Sequence, residues 1–273
     1  MESIIKAIIM GIVEGFTEFL PISSTGHLIL VNQFVNLPED FAVLFNVFIQ
    51  LGAILSVLIY FRNQLNPWAS HKNPDQKREV WEIWKKSVVG VMPALAIGYL
   101  IGDFVEEALF APEVVAGALF FGGIFLVVIE RRKNPERIRN IASLTYQTAF
   151  IIGMIQCLAM VPGVSRSAAT IIGAMLLGCS RTIAAEFSFF LAIPTMVAAS
   201  SYQLLKHLST ISPGQWGILF VGFVTSFFAA WAAIAFMMNY IRKRDFKIFG
   251  YYRIVLGILV IGYFAFVAAN KVP

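Results

Sequence analysis

Charged residues are scarce in this sequence. Asp, Glu, Lys and Arg make up 14% of its 273 residues and hydrophobic residues make up 58%, whereas an ordinary soluble domain is about a quarter charged. A soluble protein of this length must still cover its surface, so the deficit excludes a soluble enzyme and the hydrophobicity excludes a disordered chain. Only two cysteines are present, both in apolar stretches, which excludes a secreted disulfide scaffold. A mean hydropathy of +0.76 indicates a polytopic membrane protein.

Six apolar runs are long enough to cross a bilayer as helices, which takes roughly 20 residues each. They cover residues 43–61, 88–105, 113–130, 184–203, 216–240 and 249–269. The runs are continuously apolar rather than alternating, which argues against a β-barrel. The hydrophilic stretch 62–87 is expected to be a loop. No cleavable signal peptide is expected, because Glu14 and Glu18 interrupt the first apolar run and no small-residue cleavage site follows it.

Two further apolar segments are interrupted by a turn. Residues 4–20 have a helical pattern, residues 21–26 (PISSTG) break it, and a short apolar run follows to residue 36. Residues 146–161 are broken in the same way by residues 162–167 (PGVSRS), with a second run to residue 178. Neither second half is long enough to cross comfortably. We expect each segment to be a re-entrant helix pair, whose turn is tolerated only if it is buried in protein or lines a wet cavity.

The two broken segments belong to an internal repeat with an offset of 142 residues. This shift places residues 11–14 on 153–156, residues 23–25 on 165–167, and residues 45–48 on 187–190. Three full spans separate the broken segments, and an odd number reverses direction, so the repeats are expected to be inverted. The predicted fold class is therefore all-α: one integral membrane domain over 1–273, with six transmembrane helices and two re-entrant pairs. Repeat one covers about 1–105 and repeat two about 143–240.

The basic residues predict the orientation of the chain. Lys and Arg concentrate on the cytoplasmic side of membrane proteins, and the loops 62–87, 131–145, 179–183 and 241–253 carry seventeen of the 21 Lys and Arg. The other face has Lys6, Lys206 and Lys271. Both termini are therefore expected outside, with the first broken segment entering from there, and Arg166 remains inside the membrane. Inverted pairs of broken helices place a site where their half-helix N-termini meet.

Two carboxylates lie within the first broken segment. Glu14 and Glu18 are four residues apart, on one face of one helix. Adjacent carboxylates repel each other unless a cation binds between them or one keeps its proton. The simpler interpretation, that both reach the interface or bond to neighbouring helices, stays open. The pair predicts a site for a divalent cation, Mg²⁺ or Ca²⁺, held by Glu14 and Glu18.

The two turns carry hydroxyls and basic side chains. Ser23, Ser24 and Thr25 begin a short helix whose free amides favour a phosphate, although an ordinary N-cap would have the same residues. His27 follows and can act as base, acid or nucleophile. The second turn repeats the arrangement, and the fork of Arg166 matches phosphate oxygens, although an ion pair with Glu14 or Glu18 is the alternative. The other predicted substrate-binding residues of this turn are Ser165, Ser167 and Thr170.

This inventory suits phosphoryl transfer, which depends on positioning and charge neutralisation. No P-loop or Rossmann glycine pattern is present. A transporter or flippase for an anion or a phosphorylated lipid is the main alternative, because inverted repeats with broken helices are common in transporters. An intramembrane serine protease using Ser24 and His27 is a weaker alternative, because it leaves Arg166 and the two glutamates without roles.

Four segments closely resemble the bacterial undecaprenyl-diphosphate phosphatase (bacitracin-resistance) family. They are residues 14–27 (EGFTEFLPISSTGH), 162–170 (PGVSRSAAT), 47–52 (VFIQLG) and 185–194 (AEFSFFLAIP). The resemblance implies that Glu14 and Glu18 bind metal or exchange protons, and that Ser24 and His27 supply nucleophile and base in an unassigned order. It also implies that Ser165, Arg166 and Thr170 bind the diphosphate. Asn46 departs from the pattern, because some relatives have an acidic residue there.

The resemblance also implies partners and a location. The substrate would be the isoprenyl diphosphate lipid, dephosphorylated on the outer side of the bacterial cytoplasmic (inner) membrane so that the carrier returns to peptidoglycan synthesis. Bacitracin would interact only indirectly, by sequestering that substrate. No nucleic-acid partner is expected, and a homodimer is left open. The nucleophile is Ser24, His27 or a water activated by His27.

Overall fold

Eleven α-helices form the part of the chain that the structure describes, a computed structural model covering residues 2–35, 37, 39–109, 111–132, 135–207 and 212–269. In chain order they are α1 (Glu2–Glu18), α2 (Ser24–Val35), α3 (Glu39–Tyr60), α4 (Arg62–Leu65), α5 (Pro74–Leu109), α6 (Pro112–Arg131), α7 (Tyr146–Gln156), α8 (Arg166–Leu176), α9 (Arg181–His207), α10 (Trp216–Ile241) and α11 (Lys247–Ala269). Within these ranges no β-strand forms, and one isolated β-bridge joins Ile138 to Cys179.

Six of these helices, α3, α5, α6, α9, α10 and α11, are long and apolar enough to span a membrane. Their outward faces carry exposed Phe, Leu, Ile and Trp side chains, which would be costly in water and are compatible with lipid. The prediction of an all-α polytopic membrane protein with six spans is confirmed. The re-entrant course of the two broken segments and the inversion of the repeats stay predictions, as do the domain and repeat boundaries.

The centre of the molecule is formed by α9, the most buried of the six spans. Phe187, Phe189 and Phe190 lie at most 1% exposed in its middle. Phe61, which follows α3, packs edge to face on Phe190, and Phe19 of the first turn packs edge to face on Phe189. The turn that joins α1 to α2 is therefore held deep in the molecule by aromatic packing.

Glycines allow the two broken segments to pack closely on neighbouring helices. On α1, Gly11 and Gly15 face the backbone of α10 around Gly222 and Ser226, and on α7 Gly153 faces the backbone of Gly90 on α5. A Cβ at any of these glycines would overlap main-chain atoms of the partner helix. Small residues permit such approach in membrane proteins, where van der Waals packing drives helix association.

Three pairs of helices begin at the offset seen in the sequence. The starts of α2 and α8 (Ser24, Arg166), of α3 and α9 (Glu39, Arg181) and of α5 and α10 (Pro74, Trp216) are each 142 residues apart. The offset also relates the two non-glycine residues of positive φ in the described ranges, Ser23 at 70° and Ser165 at 67°. Matching element starts support the repeat at the level of whole helices.

Two loop predictions are wrong. The stretch 62–87 is not a loop throughout, because α4 forms within it and α5 begins at Pro74, making a helix of 36 residues whose first turns are amphipathic. The region 241–253 is not a loop either, because α11 begins at Lys247. Arg253, counted above among the basic residues of that loop, lies inside α11 and is fully buried. Arg166 is thus not the only arginine placed within the apolar part of the molecule.

Candidate active site

The two carboxylates lie on the inner face of α1, where the helix meets the first turn. Glu14 is fully buried, and neither of its carboxylate oxygens has a hydrogen-bond partner among the described residues. Glu18 ends the helix one turn later. A buried carboxylate without partners is rare, because desolvation costs free energy that hydrogen bonds or an ion normally recover. Glu14 is therefore a candidate for binding a ligand.

The first turn directs Ser24 at Glu18. Ser23 has a φ of 70°, which is uncommon for a residue with a Cβ and is found at strained functional turns. The backbone then enters α2 at Ser24, whose Oγ donates a hydrogen bond to Oε2 of Glu18 over 2.5 Å. An oxygen–oxygen distance this short is typical of a hydroxyl bonded to an ionised carboxylate.

The second turn directs Arg166 at the same carboxylate. Gly163 has a φ of 93° and Ser165 a φ of 67°, and α8 begins at Arg166. Nη2 of Arg166 lies 2.9 Å from Oε1 of Glu18, with the two side chains only 12% and 10% exposed. The two turns, far apart in sequence, therefore meet at Glu18, which accepts the Ser24 hydroxyl on one oxygen and the arginine on the other.

The guanidinium of Arg166 is only partly satisfied by protein groups. Nη1 donates to the carbonyl of Ser188, and Cζ lies 5.7 Å from the centre of the Phe19 ring. Nε is buried and has no hydrogen-bond partner in the described part of the chain. A bound anion would satisfy this donor, as the fork geometry of arginine allows.

His27 lies one turn into α2, and its ring is hydrogen-bonded to groups other than Ser24. Its Nδ1 is 2.7 Å from the carbonyl oxygen of Ser23, and its Nε2 is 2.7 Å from the hydroxyl of Tyr252 on α11. The sequence analysis gave Tyr252 no role. The only sequence signal for Tyr252 was its position directly before an arginine, Arg253, within an apolar run.

Four of the five remaining hydroxyls predicted to bind substrate, those of Ser23, Ser165, Ser167 and Thr170, form hydrogen bonds within the protein. Ser167 donates to the carbonyl of Leu20, which ties the start of α8 to the first turn. Thr170 is fully buried and bonds to Ser188 and to its own helix. The Ser165 hydroxyl caps α8 at the amide of Ala168 and contacts Ser167. Thr25 and Ser23 lie at the start of α2. A direct contact between any of these five side chains and substrate stays a prediction.

The sequence matches one family model over almost its whole length. Residues 7–259 match the model described as bacitracin resistance protein BacA. The chain belongs to this family. A relative from Limosilactobacillus fermentum is 48% identical over 98% of this chain and all of the relative. One from Clostridioides difficile is 50% identical over 96% of both chains, and one from Enterococcus faecalis is 45% identical over 96% and 97%. These proteins are named undecaprenyl-diphosphatases.

Membership of the BacA family confirms the resemblance found from the four motifs, and the relatives' names do not favour the transporter alternative.

The two turns of the site are held together by a residue of α11. Arg253 on α11, fully buried, donates to the carbonyls of Val164 at 3.0 Å, Gly163 at 3.2 Å and Pro21 at 3.5 Å. It also donates to Ala118 on α6. One guanidinium thus contacts both turns.

The sequence analysis missed Arg253 because it assigned residues 241–253 to a basic loop. A usable signal was present: Arg253 stands within an apolar run, IFGYYRIVLGILV, which begins at Ile248. An ionisable residue at that depth is a candidate for function by default. Gly122 on α6 makes room for it, because a Cβ at that position would overlap Nη2 of Arg253.

Glu14 and Glu18 are two carboxylates that could together hold a hard divalent cation. The described residues contain no group of three or more His, Cys, Asp and Glu side chains that could hold a metal. Mg²⁺ is commonly bound by one or two carboxylates together with substrate phosphates and water. The partnerless oxygens of Glu14 beside Glu18 supply such a pair.

Proposed function

We propose that this chain is an undecaprenyl-diphosphatase, which hydrolyses the terminal phosphate of undecaprenyl diphosphate. Its membership of the BacA family and the names of its relatives support this activity. The single observation that carries the mechanism is the position of Glu18, whose two carboxylate oxygens bond to Ser24 and Arg166. That arrangement joins a hydroxyl nucleophile, a base and an anion-binding cation at one point.

In this mechanism Ser24 is the nucleophile and Glu18 is its base. Oγ of Ser24 forms a bond to the terminal phosphorus as the bond to the bridging oxygen breaks, and the Ser24 proton passes to Oε2 of Glu18. Undecaprenyl phosphate leaves with the bridging oxygen. A water oxygen then forms a bond to phosphorus as the bond to Oγ breaks, Oγ takes its proton back from Glu18, and the phosphate leaves with both protons of the water as dihydrogen phosphate. The short bond from Ser24 to Glu18 favours this assignment over His27 as nucleophile, because the nearest partner of a hydroxyl is its natural proton acceptor.

Arg166 and the two turns bind the diphosphate in this proposal. Arg166 exchanges its contact with Glu18 for phosphate oxygens, and its partnerless Nε gains one. The N-terminal turns of α2 and α8 add backbone amides and favourable helix dipoles. As charge builds on the transferring group, these preorganised donors stabilise it without reorganisation.

A divalent cation, Mg²⁺ or Ca²⁺, would be held by Glu14 and Glu18. When bound, it neutralises part of the charge on the diphosphate. Binding the cation would give the buried oxygens of Glu14 the partner that they lack. Glu18 would keep its hydrogen bond with Ser24.

We place the site on the outer side of the bacterial cytoplasmic membrane, with the isoprenyl tail in the surrounding lipid. The basic segments 62–87 and 131–145 would face the cytoplasm. Hydrolysis there would return the lipid carrier to cell-wall synthesis. Bacitracin resistance would follow because the enzyme consumes the lipid that the antibiotic sequesters.

The test is release of phosphate from undecaprenyl diphosphate by the purified protein, with and without Mg²⁺ or Ca²⁺. Ser24→Ala is expected to lower the rate by about 10³-fold or more, whereas Ser56→Ala, whose hydroxyl bonds only to its own helix, leaves it unchanged. Rapid quenching with radiolabelled substrate should trap an acid-stable, base-labile phosphoryl group on Ser24. A phosphoryl group on His27 would overturn the assignment of the nucleophile. Movement of the lipid across proteoliposomes without phosphate release would overturn the enzyme itself.

A further inference from the structure

The hydrogen bonds of His27 define which ring nitrogen carries the proton. The carbonyl oxygen of Ser23 can only accept, so Nδ1 of His27 must donate to it. In the neutral ring Nε2 therefore has a lone pair, which accepts the hydroxyl proton of Tyr252. The two rings lie nearly parallel, at 5° with centroids 5.5 Å apart. Both nitrogens of His27 are thus engaged, and neither contacts Ser24.

The hydrogen bond from Nδ1 of His27 holds the peptide group that joins Ser23 to Ser24, the proposed nucleophile. The Ser23 carbonyl and the Ser24 amide belong to one peptide plane. The peptide follows Ser23, whose φ of 70° is strained for a residue with a Cβ and persists only where surrounding contacts hold it. His27 supplies such a contact, and Tyr252 fixes the ring that supplies it. A continuous series of bonds therefore runs from α11 through His27 to the peptide that orients Ser24.

The second turn is held from the same helix in a different way. Ser165 has a φ of 67°. Arg253 donates hydrogen bonds to the two carbonyls just before Ser165, those of Gly163 and Val164. Tyr252 and Arg253 are adjacent on α11, a helix outside both predicted repeats.

We propose that Tyr252 is a positioning residue for the phosphatase reaction: its hydroxyl, bonded to Nε2 of His27, keeps that ring in the Nδ1–H tautomer and so holds the Ser23–Ser24 peptide in place. Tyr252 acts through His27 and not on the substrate, and Glu18 remains the base for Ser24. This inference rests on the proposed function for its kinetic consequence, but the tautomer itself is a property of the protein without substrate.

The kinetic test compares Tyr252→Phe with Tyr251→Phe in the purified full-length protein. Tyr251 is the neighbouring tyrosine, is half exposed, and has no place in the mechanism. Tyr252→Phe is expected to lower kcat about ten- to hundredfold, the cost of a small misplacement of a reacting group, with KM changed less than twofold. Tyr251→Phe should match the unchanged protein. Equal rates for the two variants would overturn the proposal.

A double-mutant cycle tests whether Tyr252 acts through His27 or independently of it. In the His27→Ala background, Tyr252→Phe is expected to cause no further loss, because residues that act in series are not additive. Two full and additive losses would overturn the proposal. Thermal unfolding of each variant in the same detergent checks that the comparison is made on folded protein.

The spectroscopic test does not depend on activity. In protein labelled with ¹⁵N-histidine, the spectrum contains three histidines, His27, His71 and His207. At a pH where the rings are neutral, His27 should show a protonated Nδ1 and a hydrogen-bonded Nε2. In Tyr252→Phe the Nε2 resonance alone should move downfield. An Nε2–H tautomer in the unchanged protein would overturn the proposal even if phosphate release is observed, whereas a protein without phosphatase activity but with this spectrum would overturn only the proposed function.

Discussion

Glu18 is the residue on which the candidate site depends, because it contacts both turns. Its neighbour Glu14 is the residue of the site with the fewest polar contacts. Four positions apart on α1, one makes two short polar contacts and the other makes none in the described structure. Their spacing was visible in the sequence, but the difference between them was not, because it depends on how the first turn directs Ser24 and on Arg166, which is 148 positions away on α8. A carboxylate that is buried without partners is unfavourable for folding and favourable for binding a cation.

Glu14→Gln is expected to stabilise the protein modestly in the absence of divalent cations, because the amide keeps the shape of the side chain but cannot carry a charge at this buried, unpartnered position. The gain should be measured as a higher Tm in EDTA. The same variant should lose the activation by Mg²⁺ or Ca²⁺ seen in phosphate release.

The matched control is Glu2→Gln, on the same helix, where an exposed carboxylate pairs with Lys6. Exposed ion pairs contribute little to stability, so the Tm of this variant should hardly change and its response to cations should be normal. A Tm for Glu14→Gln below that of the control would contradict the interpretation of Glu14 as a cation ligand without a partner.

The helices show how a site is assembled from interrupted elements. The breaks before α2 and α8 were predicted from Pro, Gly and Ser in the apolar runs, and helix starts at Ser24 and Arg166 agree with that reading of the turns. The contribution of α11 could not be predicted in the same way. Its position against both turns is set by packing on α6, where Gly123 and Gly250 allow the backbones to approach.

Gly122→Ala tests that contribution without changing any charged residue. The new Cβ would displace the guanidinium of Arg253 from the carbonyls of Ala118 and Gly163. We expect the free energy of unfolding to fall by about 1–3 kcal/mol and phosphate release to fall about tenfold or more, since the turns lose their shared donor. Thermal unfolding and the phosphate assay measure the two effects.

Gly117→Ala is the control on the same helix, because no atom lies within 4 Å of its added Cβ. This substitution should raise stability by up to about 1 kcal/mol through helix propensity and leave the rate unchanged. If the two alanine variants behave alike, the contacts of Arg253 are not needed for the site.

At the scale of the whole molecule, the asymmetry of basic residues predicts how the chain sits in the membrane. Moving Arg253 from a loop into α11 removes one residue from the basic face and leaves sixteen there, so the asymmetry survives the correction.

One ion pair at that end of the molecule joins helices from different parts of the chain. Arg181 on α9 donates two parallel hydrogen bonds to the carboxylate of Glu130 on α6.

Single cysteines in a protein lacking Cys157 and Cys179 can measure the orientation. A membrane-impermeant maleimide applied to intact cells should label Gly214→Cys, between α9 and α10, and should not label His71→Cys or Arg139→Cys. The latter two should react once the membrane is opened, which controls for accessibility. Labelling of His71→Cys in intact cells would reverse the proposed orientation and place the site on the cytoplasmic side.

The sequence by itself determined that this is an all-helical membrane protein, where its helices break, and which family it resembles, because these depend on local composition and on motifs of adjacent residues. It also singled out Glu14, Glu18, Ser24, His27 and Arg166. Only the tertiary structure decided that Glu18 joins Ser24 to Arg166, that His27 faces Tyr252 instead of Ser24, and that Arg253 connects the two turns. Those pairings link residues up to 232 positions apart, and hydrogen bonds over such separations are set by helix packing, which no local pattern records.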